Sequence, residues 1–249
     1  MSLFLLQRAG KHPRPLDSHP TREAVFRFCC RRRGSIPLGT RPSRKVENLF
    51  YLMHMSCEFE ERFVQTFETA TLKGERVTLV GLRESDVEAV YALVQESREH
   101  LMAHLPWVQD TSVTDIKKKV RSWVLAEQLS QGGCWKIMLS GNGASKFAGV
   151  IMMEVRLSNH SATISYWLGE GFCGKGYMTE SLKAFAKFCL CELGLHRLEI
   201  TASVNNPQSA AVALRAGFKE EGLCREYEII GDAFVDHRLF SLLKTDLVD

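Results

Sequence analysis

The 249-residue sequence predicts a mixed α/β domain. Two features lead to this fold class. Several short stretches alternate apolar and polar residues, as strands do, and others repeat apolar residues every three or four positions, as amphipathic helices do. Along the chain these stretches follow the order strand, helices, three strands, helix, strand, helix, two strands. A chain that mixes the two kinds of element in this way packs helices on a sheet.

The first elements of this domain are one strand and two helices. Residues 76–82 (RVTLVGL) alternate as a strand. Ser85 follows in the position of a helix N-cap, and the helix runs through residues 86–101. Pro106 then ends the helical segment that follows. A second helix is expected over residues 114–129. Its apolar residues lie near one face: Ile116, Val120, Trp123 and Leu129.

A hairpin and a further strand come next. Residues 134–139 (CWKIML) and 147–157 (FAGVIMMEVRL) are typical of strands and enclose a turn at 141–145 (GNGAS). Residues 163–168 (TISYWL) then alternate along another strand.

The C-terminal part begins with the glycine-rich stretch 169–176 (GEGFCGKG), which leads into a long helix. That helix is predicted from five apolar residues at helical spacing: Met178, Leu182, Phe185, Cys189 and Leu193. Residues 197–203 (RLEITAS) form a strand, and a short helix ends at Gly217. Residues 226–243 form a closing hairpin that turns at Gly231 and its following Asp.

Charge divides the chain into two regions. Residues 1–50 carry 11 Lys and Arg against 3 Asp and Glu, and residues 51–249 carry 21 against 26. We therefore expect a basic, disordered tail over residues 1–56 and one folded domain over residues 57–249. This mildly acidic domain offers no broad basic face for nucleic acid and favours an amine-bearing partner.

The tail has three open interpretations: a flexible extension, an Arg-rich organelle presequence, or residues upstream of a true start at Met53 or Met55. No apolar stretch is long enough to span a bilayer, so no membrane association is expected. The eight cysteines include no C-x-x-C pair and no zinc-like spacing from a histidine. These features indicate reduced thiols, a cytoplasmic protein and no metal site.

The stretch 169–176 matches part of the nucleotide-binding P-loop pattern. Gly169, Gly174 and Lys175 fit G-x-x-x-x-G-K, but Gly176 stands where that pattern requires Ser or Thr as a magnesium ligand. Nucleotide hydrolysis is therefore not expected. The glycines and the helix N-terminus that follows can still hold a pyrophosphate without a metal, through backbone amides and the helix dipole. The alternative is a plain strand-to-helix turn.

Several motifs of the C-terminal half occur together in a fixed order. They are the strand 164–168, Gly174-Lys175-Gly176 at a helix start, Asn205-Asn206-Pro207-Gln208-Ser209, residues 213–218 (ALRAGF) and the closing hairpin. In this order they resemble the GNAT acyltransferase superfamily, and within it the ribosomal-protein-serine/alanine N-acetyltransferases of the Rim type. The resemblance is strongest over residues 161–243. One position departs from the pattern, because the superfamily's phosphate loop often begins with Gln or Arg where this chain has Gly171.

The resemblance implies both a fold and a reaction. The GNAT fold is a central, mixed, mostly antiparallel sheet of about seven strands, flanked by helices and splayed between its fourth and fifth strands. The reaction is direct attack of an amine on acetyl-CoA in a ternary complex, without a metal. The implied acceptor is a protein N-terminal α-amine, with a ribosomal protein favoured, and a homodimer is compatible with the family. The alternatives are a small-molecule amine, such as a polyamine or aminoglycoside, and a non-catalytic acyl-CoA-binding module.

The same resemblance assigns the cofactor-binding residues. The backbone of Tyr166, Trp167 and Leu168 would pair with the pantetheine arm and polarise the thioester carbonyl. Asn205 and Ser209 would also contact the cofactor. The pyrophosphate would be held by the amides of the glycine-rich loop: Cys173, Gly174, Lys175, Gly176, Tyr177 and Met178.

Ser209 and Glu228 are the catalytic candidates. Ser209 matches the family's serine, whose hydroxyl can donate to the departing thiolate; alternatively it only supports a helix cap formed by Asn206. Glu228 matches a carboxylate beside the acceptor amine, and Glu226, predicted on the same strand face, is the second candidate. Both glutamates could instead be solvated strand charges. Three histidines are isolated in the sequence and receive no catalytic role: His160, His196 and His237.

Overall fold

The computed structural model describes residues 71–129, 131–140 and 145–247. Their eight strands are β1 (Thr71–Lys73), β2 (Val77–Gly81), β3 (Gly132–Leu139), β4 (Lys146–Arg156), β5 (Ser161–Leu168), β6 (Arg197–Ser203), β7 (Lys219–Ile230) and β8 (Ala233–Leu243). They form one sheet in the order β1-β2-β3-β4-β5-β6-β8-β7. The β5–β6 pair is parallel and every other neighbouring pair is antiparallel.

The predicted sheet, mixed and mostly antiparallel, is confirmed. The strand that was not predicted is β1, a three-residue edge strand too short to give a sequence pattern. The predicted tail over residues 1–56 lies outside the described residues, as do residues 57–70 and most of the predicted turn at 141–145.

The described residues include five α-helices. They are α1 (Val87–Glu96), α2 (Arg98–Met102), α3 (Val113–Gln128), α4 (Tyr177–Lys187) and α5 (Pro207–Arg215). Helix α4 continues into a π-helical turn at Phe188–Glu192. None of the helices in the described part of the chain has the length and apolar character needed to cross a membrane.

The first predicted helix differs from the structure at both ends. Ser85 is not its N-cap, because the chain enters through a 3-10 turn at Glu84–Asp86, where the Arg83 amide donates to Asp86 Oδ2 at 2.8 Å. A carboxylate accepts a backbone hydrogen bond more strongly than a hydroxyl does, which favours this arrangement. The helix also breaks at Ser97, so that α1 and α2 are separate.

Helix α3 has a reciprocal cap that fixes its start. The Asp115 amide donates to Ser112 Oγ at 3.3 Å, and the Ser112 amide donates to Asp115 Oδ2 at 3.3 Å. Ile116 and Val120 are buried, as the spacing predicts. Leu129, predicted on the same face, follows the last helical residue and is 53% exposed.

Two apolar cores lie on opposite faces of the sheet. The five residues predicted on the buried face are each at most 5% exposed, although only three lie in helix α4; Cys189 lies in the π-helical turn and Leu193 follows it. Helix α4 packs with α5 against one face. Helices α1 and α3 pack against the other face, on side chains such as Val150 and Trp167. Because strand residues alternate between faces, the two cores together cover the central strands.

The sheet opens between β5 and β6. These strands pair through Ser161–Arg197, Ala162–Leu198 and Thr163–Glu199, and the ladder then stops. Residues 164–168 and 200–203 have no strand partner on the edges that face each other. The predicted splay between these two strands is confirmed.

The last two strands form a long hairpin. Strand β7 begins at Lys219, earlier than the predicted residue 226, and most of its side chains are exposed, so no alternation marks its start. Its pairing with β8 shifts register between Glu220 and Gly222 and again between Cys224 and Glu228. The turn at Gly231, where φ is 64°, is as predicted.

Candidate active site

The glycine-rich loop connects β5 to α4 at the splayed edge of the sheet. Gly174 and Gly176 have φ angles of 75° and 81°, left-handed values that favour glycine, and Gly176 is the N-cap residue of α4. Among the described residues, the amides of Gly174, Lys175 and Gly176 donate to no carbonyl. Helix geometry also leaves the first amides of α4 unpaired. The loop thus presents several free donors at the positive end of a helix dipole.

This loop fits a pyrophosphate. A Cβ atom built at Gly171 or Gly174 would meet no atom within 4 Å, so the space beside the backbone is open. Free amides and a helix N-terminus are the groups that bind phosphate oxygens without a metal. Within the described part of the chain, no group of three or more His, Cys, Asp or Glu side chains is placed to hold a metal ion.

Arg76, the residue before β2, contacts the loop. Its Nη1 donates to the Lys175 carbonyl at 3.1 Å, and its Nε donates to Glu180 Oε2 at 2.9 Å. The guanidinium also lies 5.0 Å from the centre of the Tyr177 ring. Lys175 Nζ donates to the carbonyl oxygen of Gly171 at 2.6 Å, so this lysine closes the loop on itself. These contacts hold the loop backbone in one conformation.

The base of the loop packs against α1. A Cβ at Gly169 would lie 2.5 Å from Leu93 Cδ1, so a larger residue there would have to displace the Leu93 side chain. The Glu170 amide donates to Ser97 Oγ at 3.0 Å, at the point where α1 ends. Gly169, the first glycine of the partial P-loop pattern, therefore has a packing role.

Cys173 is half-buried in the same loop. Its amide donates to the Glu170 carbonyl at 3.0 Å, so it is not one of the free donors of the predicted cradle. Its Sγ lies 3.5 Å from His100 Nε2 and 3.6 Å from the Gly169 carbonyl oxygen. Burial raises the pKa of this thiol, and the charge of Glu170 raises it further. The sulfur is therefore protonated at neutral pH.

The three β5 residues predicted to bind the cofactor differ in what they expose. Trp167 and Leu168 are 5% and 8% exposed, and their side chains lie in the cores. A ligand between β5 and β6 could therefore contact only the backbone of these two residues. Tyr166 is only partly buried, and its ring tip reaches α5.

Tyr166 and Ser209 form a pair of hydroxyls across the gap. The Tyr166 hydroxyl donates to the Ser209 carbonyl oxygen at 3.0 Å, and the Ser209 hydroxyl donates to the Tyr166 oxygen at 3.3 Å. Burial raises the pKa of Tyr166 to about 12, although the Ser209 hydrogen bond and the charge of Arg215 lower it. Both hydroxyls therefore carry a proton at neutral pH.

The N-terminus of α5 is capped without using the Ser209 hydroxyl. Asn206 Oδ1 accepts the Ser209 backbone amide at 3.0 Å, and Pro207 occupies the first helical position. The Ser209 side chain is thus available for chemistry. Asn205 is exposed just before this cap, and its backbone amide donates to Ser203 Oγ at 3.1 Å.

Glu228 lies half-exposed on β7, directly after the second bulge. Its Oε2 is 3.3 Å from Nε2 of His237, which is buried on β8. Burial raises the pKa of Glu228 and lowers the pKa of His237. The imidazole is therefore neutral at neutral pH, and the carboxyl holds its proton more tightly than an exposed glutamate does.

Glu226 does not share the strand face of Glu228, contrary to prediction. It lies within the bulge with a left-handed φ of 51°, and its amide donates to Asp236 Oδ1 at 2.7 Å. The extra residues of a bulge interrupt the two-residue alternation on which the prediction depended. The Glu226 side chain is exposed.

The groups described above meet at one edge of the sheet. Because β5 and β6 are parallel, their C-terminal residues Leu168 and Ser203 lie at the same edge. The glycine-rich loop follows β5, and the turn into α5 follows β6. Ser203 pairs with His237, which in turn contacts Glu228. The edge therefore combines phosphate donors, two protonated hydroxyls and a carboxylate.

The sequence favours a core position for the Tyr166 ring, with a hydroxyl that faces the cleft as the alternative, and gives His237 no catalytic role. The hydroxyl contact with Ser209 supports the cleft-facing alternative. No pattern in the sequence around His237 indicates a role, because the bulged register of β7 on β8 is what brings Glu228 close to it.

Comparison with known proteins agrees with this site. Residues 76–219 match the acetyltransferase (GNAT) domain family. The ribosomal-protein-serine acetyltransferase of Escherichia coli (strain K12) is 31% identical over 176 residues, which is 70% of this chain and 96% of that protein.

Two solved structures extend the comparison. RimL, a ribosomal alpha-N-protein acetyltransferase in complex with coenzyme A, matches with a TM-score of 0.65 at 28% identity, over 70% of this chain and 98% of that chain. The microcin C7 self immunity acetyltransferase MccE, in complex with acetyl-CoA and AMP, matches with a TM-score of 0.63 at 25% identity, over 68% and 93%. The resemblance inferred from the motifs is confirmed. The chain belongs to the GNAT acetyltransferase family and is an acetyl-CoA-dependent N-acetyltransferase.

Proposed function

We propose that this enzyme acetylates the α-amine of a protein N-terminus, and that its acceptor is a ribosomal protein. The observation that carries the proposal is the carboxylate of Glu228 at the same open edge as the hydroxyl pair of Tyr166 and Ser209. A base and a proton source on one edge are what amine acetylation requires. The names of the RimL structure and the E. coli relative support a ribosomal acceptor.

In this proposal the loop and β5 bind the donor substrate. The free amides of Gly174, Lys175 and Gly176, with the first amides of α4, hold the pyrophosphate of acetyl-CoA. The unpaired edge of residues 166–168 lies along the pantetheine arm and directs backbone NH groups at the thioester carbonyl oxygen. Asn205, exposed beside the α5 cap, contacts the cofactor near Ser209.

Glu228 acts as the base. An α-amine has a reference pKa near 8 and is largely protonated at neutral pH, so its ammonium form must lose a proton before attack. Glu228 accepts that proton, directly or through one water molecule. The amine nitrogen then bonds to the acetyl carbon and releases its second proton to solvent as the amide forms.

Ser209 and Tyr166 supply the proton that the departing thiolate takes up. As the carbon–sulfur bond breaks, the Ser209 hydroxyl donates its proton towards the sulfur. The Tyr166 hydroxyl lies within hydrogen-bond distance of Ser209 Oγ and can return a proton to it. Because a thiolate is already a fair leaving group near neutral pH, this donation assists the reaction rather than enabling it.

A small-molecule amine is the second candidate acceptor. It is favoured by the similarity to MccE, an immunity acetyltransferase solved with AMP.

The test is acetyl transfer followed by mass spectrometry. The enzyme and acetyl-CoA are incubated with purified ribosomal proteins, with peptides of their N-termini, and with polyamines and aminoglycosides. We expect an acetyl group on the α-amine of one ribosomal protein and its peptide. A peptide of the same sequence with a blocked α-amine is the control and should remain unmodified. Transfer confined to small amines would refute the protein acceptor.

A further inference from the structure

His237 is a buried imidazole without a settled hydrogen-bond partner. It lies in β8 between β6 and β7 and is 5% exposed. Neither ring nitrogen has an aligned hydrogen bond to a partner in the described part of the chain. Buried polar nitrogens are costly when unpaired, so a histidine kept in this state needs an explanation.

Glu228 is the carboxylate that contacts this ring. Its Oε2 lies 3.3 Å from Nε2, close enough for an ion pair but outside hydrogen-bond alignment. Catalytic hydrogen bonds are often loose in unliganded enzymes and tighten when substrate binds. Rotation of the half-exposed Glu228 side chain would align the two atoms.

The other groups on β6 and β7 that face His237 bring no fixed charge. Ser203 of β6 and Cys224 of β7 lie opposite it in the sheet. The Tyr227 ring packs against the imidazole, with centroids 4.9 Å apart and planes 36° apart. These neighbours fix the plane of the ring. Glu228 is then the group that determines the protonation state of the imidazole.

Three charged side chains on β8 and α5 are engaged elsewhere. On β8, Asp236 accepts the Glu226 amide, and Arg238 pairs with Glu220 at 2.6 Å. On α5, which packs over β6 and β7, Arg215 Nε lies 3.4 Å from Thr179 Oγ1.

We propose that His237 is the positioning residue of the catalytic base, and that its Nε2 shares with Glu228 the proton taken from the acceptor amine. This inference rests on the proposed role of Glu228 as that base. The neutral ring carries its own proton on Nδ1 and offers the Nε2 lone pair. The amine N–H bond breaks as an O–H bond forms on Glu228. The O–H bond then breaks as N–H forms on Nε2, which leaves an imidazolium beside a carboxylate.

Burial brings the two proton affinities together. The ordinary pKa of the carboxyl, 4.5, is raised, and that of the imidazole, 6.5, is lowered. A proton is shared most easily between groups of similar pKa, and two such groups titrate as a unit. The bulge at Glu226 gives the pair its geometry, since bulges redirect side chains next to active sites.

The first experiment replaces the imidazole by uncharged polar groups. His237→Asn and His237→Gln should lower kcat about 10-fold and move the acid limb of the kcat/KM profile about one unit to lower pH, because the isolated carboxylate binds its proton less tightly. His196→Asn removes an exposed imidazole as a control and should leave the profile unchanged. CoA affinity like that of the wild type shows that each variant is folded.

The second experiment keeps His237 and does not depend on the folding of its variants. NMR titration of the imidazole should give a lower pKa in Glu228→Gln than in the wild type, because the imidazolium loses its carboxylate. Unchanged pH profiles in both His237 variants, or an unchanged imidazole titration, overturn the inference while the base role stands. Full activity of Glu228→Gln instead overturns the base role and the inference with it.

Discussion

The Ser209 hydroxyl donates to the Tyr166 oxygen at 3.3 Å, while the Ser209 amide separately donates to the capping Asn206 at 3.0 Å. The two contacts use different atoms of one residue. The chemical role proposed for Ser209 can therefore be tested without disturbing the cap, and the cap without removing the hydroxyl.

Ser209→Ala should lower kcat while leaving the free energy of unfolding close to that of the wild type. A general acid typically contributes 100-fold or more, but a thiolate leaves readily, so we expect a loss of about 10- to 100-fold. Asn206→Ala is the matched control and should cost about 1 kcal/mol of stability through the lost cap. Steady-state kinetics and urea unfolding measure the two effects. A destabilised Ser209→Ala with normal turnover would return Ser209 to a structural role.

Tyr166→Phe should remove a pH dependence of stability that the wild type shows in alkali. The phenol titrates near 10 when unfolded and near 12 when folded, so above pH 10 the unfolded state binds fewer protons. The wild type then loses stability as pH rises from about 10 to about 12, by about 2.7 kcal/mol in total. Urea unfolding at several pH values compares the two proteins. Parallel curves would mean that the phenol is not protected by burial.

Glu228→Gln should lower kcat and flatten the acid limb of the pH–rate profile. Because burial raises the folded pKa of this carboxyl, its contribution to stability is present at low pH and is lost as pH rises through that pKa. The glutamine variant should therefore be at least as stable as the wild type at neutral pH. Glu226→Gln, on the exposed bulge, is the control and should keep the wild-type profile. Equal losses in both variants would point to general electrostatics instead of a base.

Gly174→Ala should weaken CoA binding by about 5- to 30-fold, because the left-handed φ of 75° costs an L-residue about 1–2 kcal/mol. Gly231→Ala is the matched control, since Gly231 has a similar left-handed φ of 64° and open space at the hairpin turn, outside the loop, so CoA affinity should stay that of the wild type. Isothermal titration with CoA measures both affinities, and EDTA should change neither. Loss of binding in EDTA would show that a metal takes part.

Elements set by local patterns were predictable from the sequence. The spacing of Met178, Leu182 and Phe185 gives the buried face of α4, and Asn206 with Pro207 gives the cap of α5. These features depend on residues a few positions apart, whose energetics do not require the rest of the fold.

Features set by pairing between strands were not predictable. Strand β7 is exposed along most of its length, so its start at Lys219 carries no alternation. The bulge that separates Glu226 from Glu228, and the contact of Glu228 with His237, follow from the register of β7 on β8. The Tyr166–Ser209 contact likewise joins a strand to a helix that starts some forty residues later.

The splay of β5 from β6 has a consequence for the unliganded protein. It leaves two strand edges, residues 164–168 and 200–203, with unpaired backbone groups in the middle of a sheet. Such edges recruit other chains and promote aggregation. A ligand lying in the gap would shield them, so bound CoA should protect the protein from aggregation as well as serve the reaction.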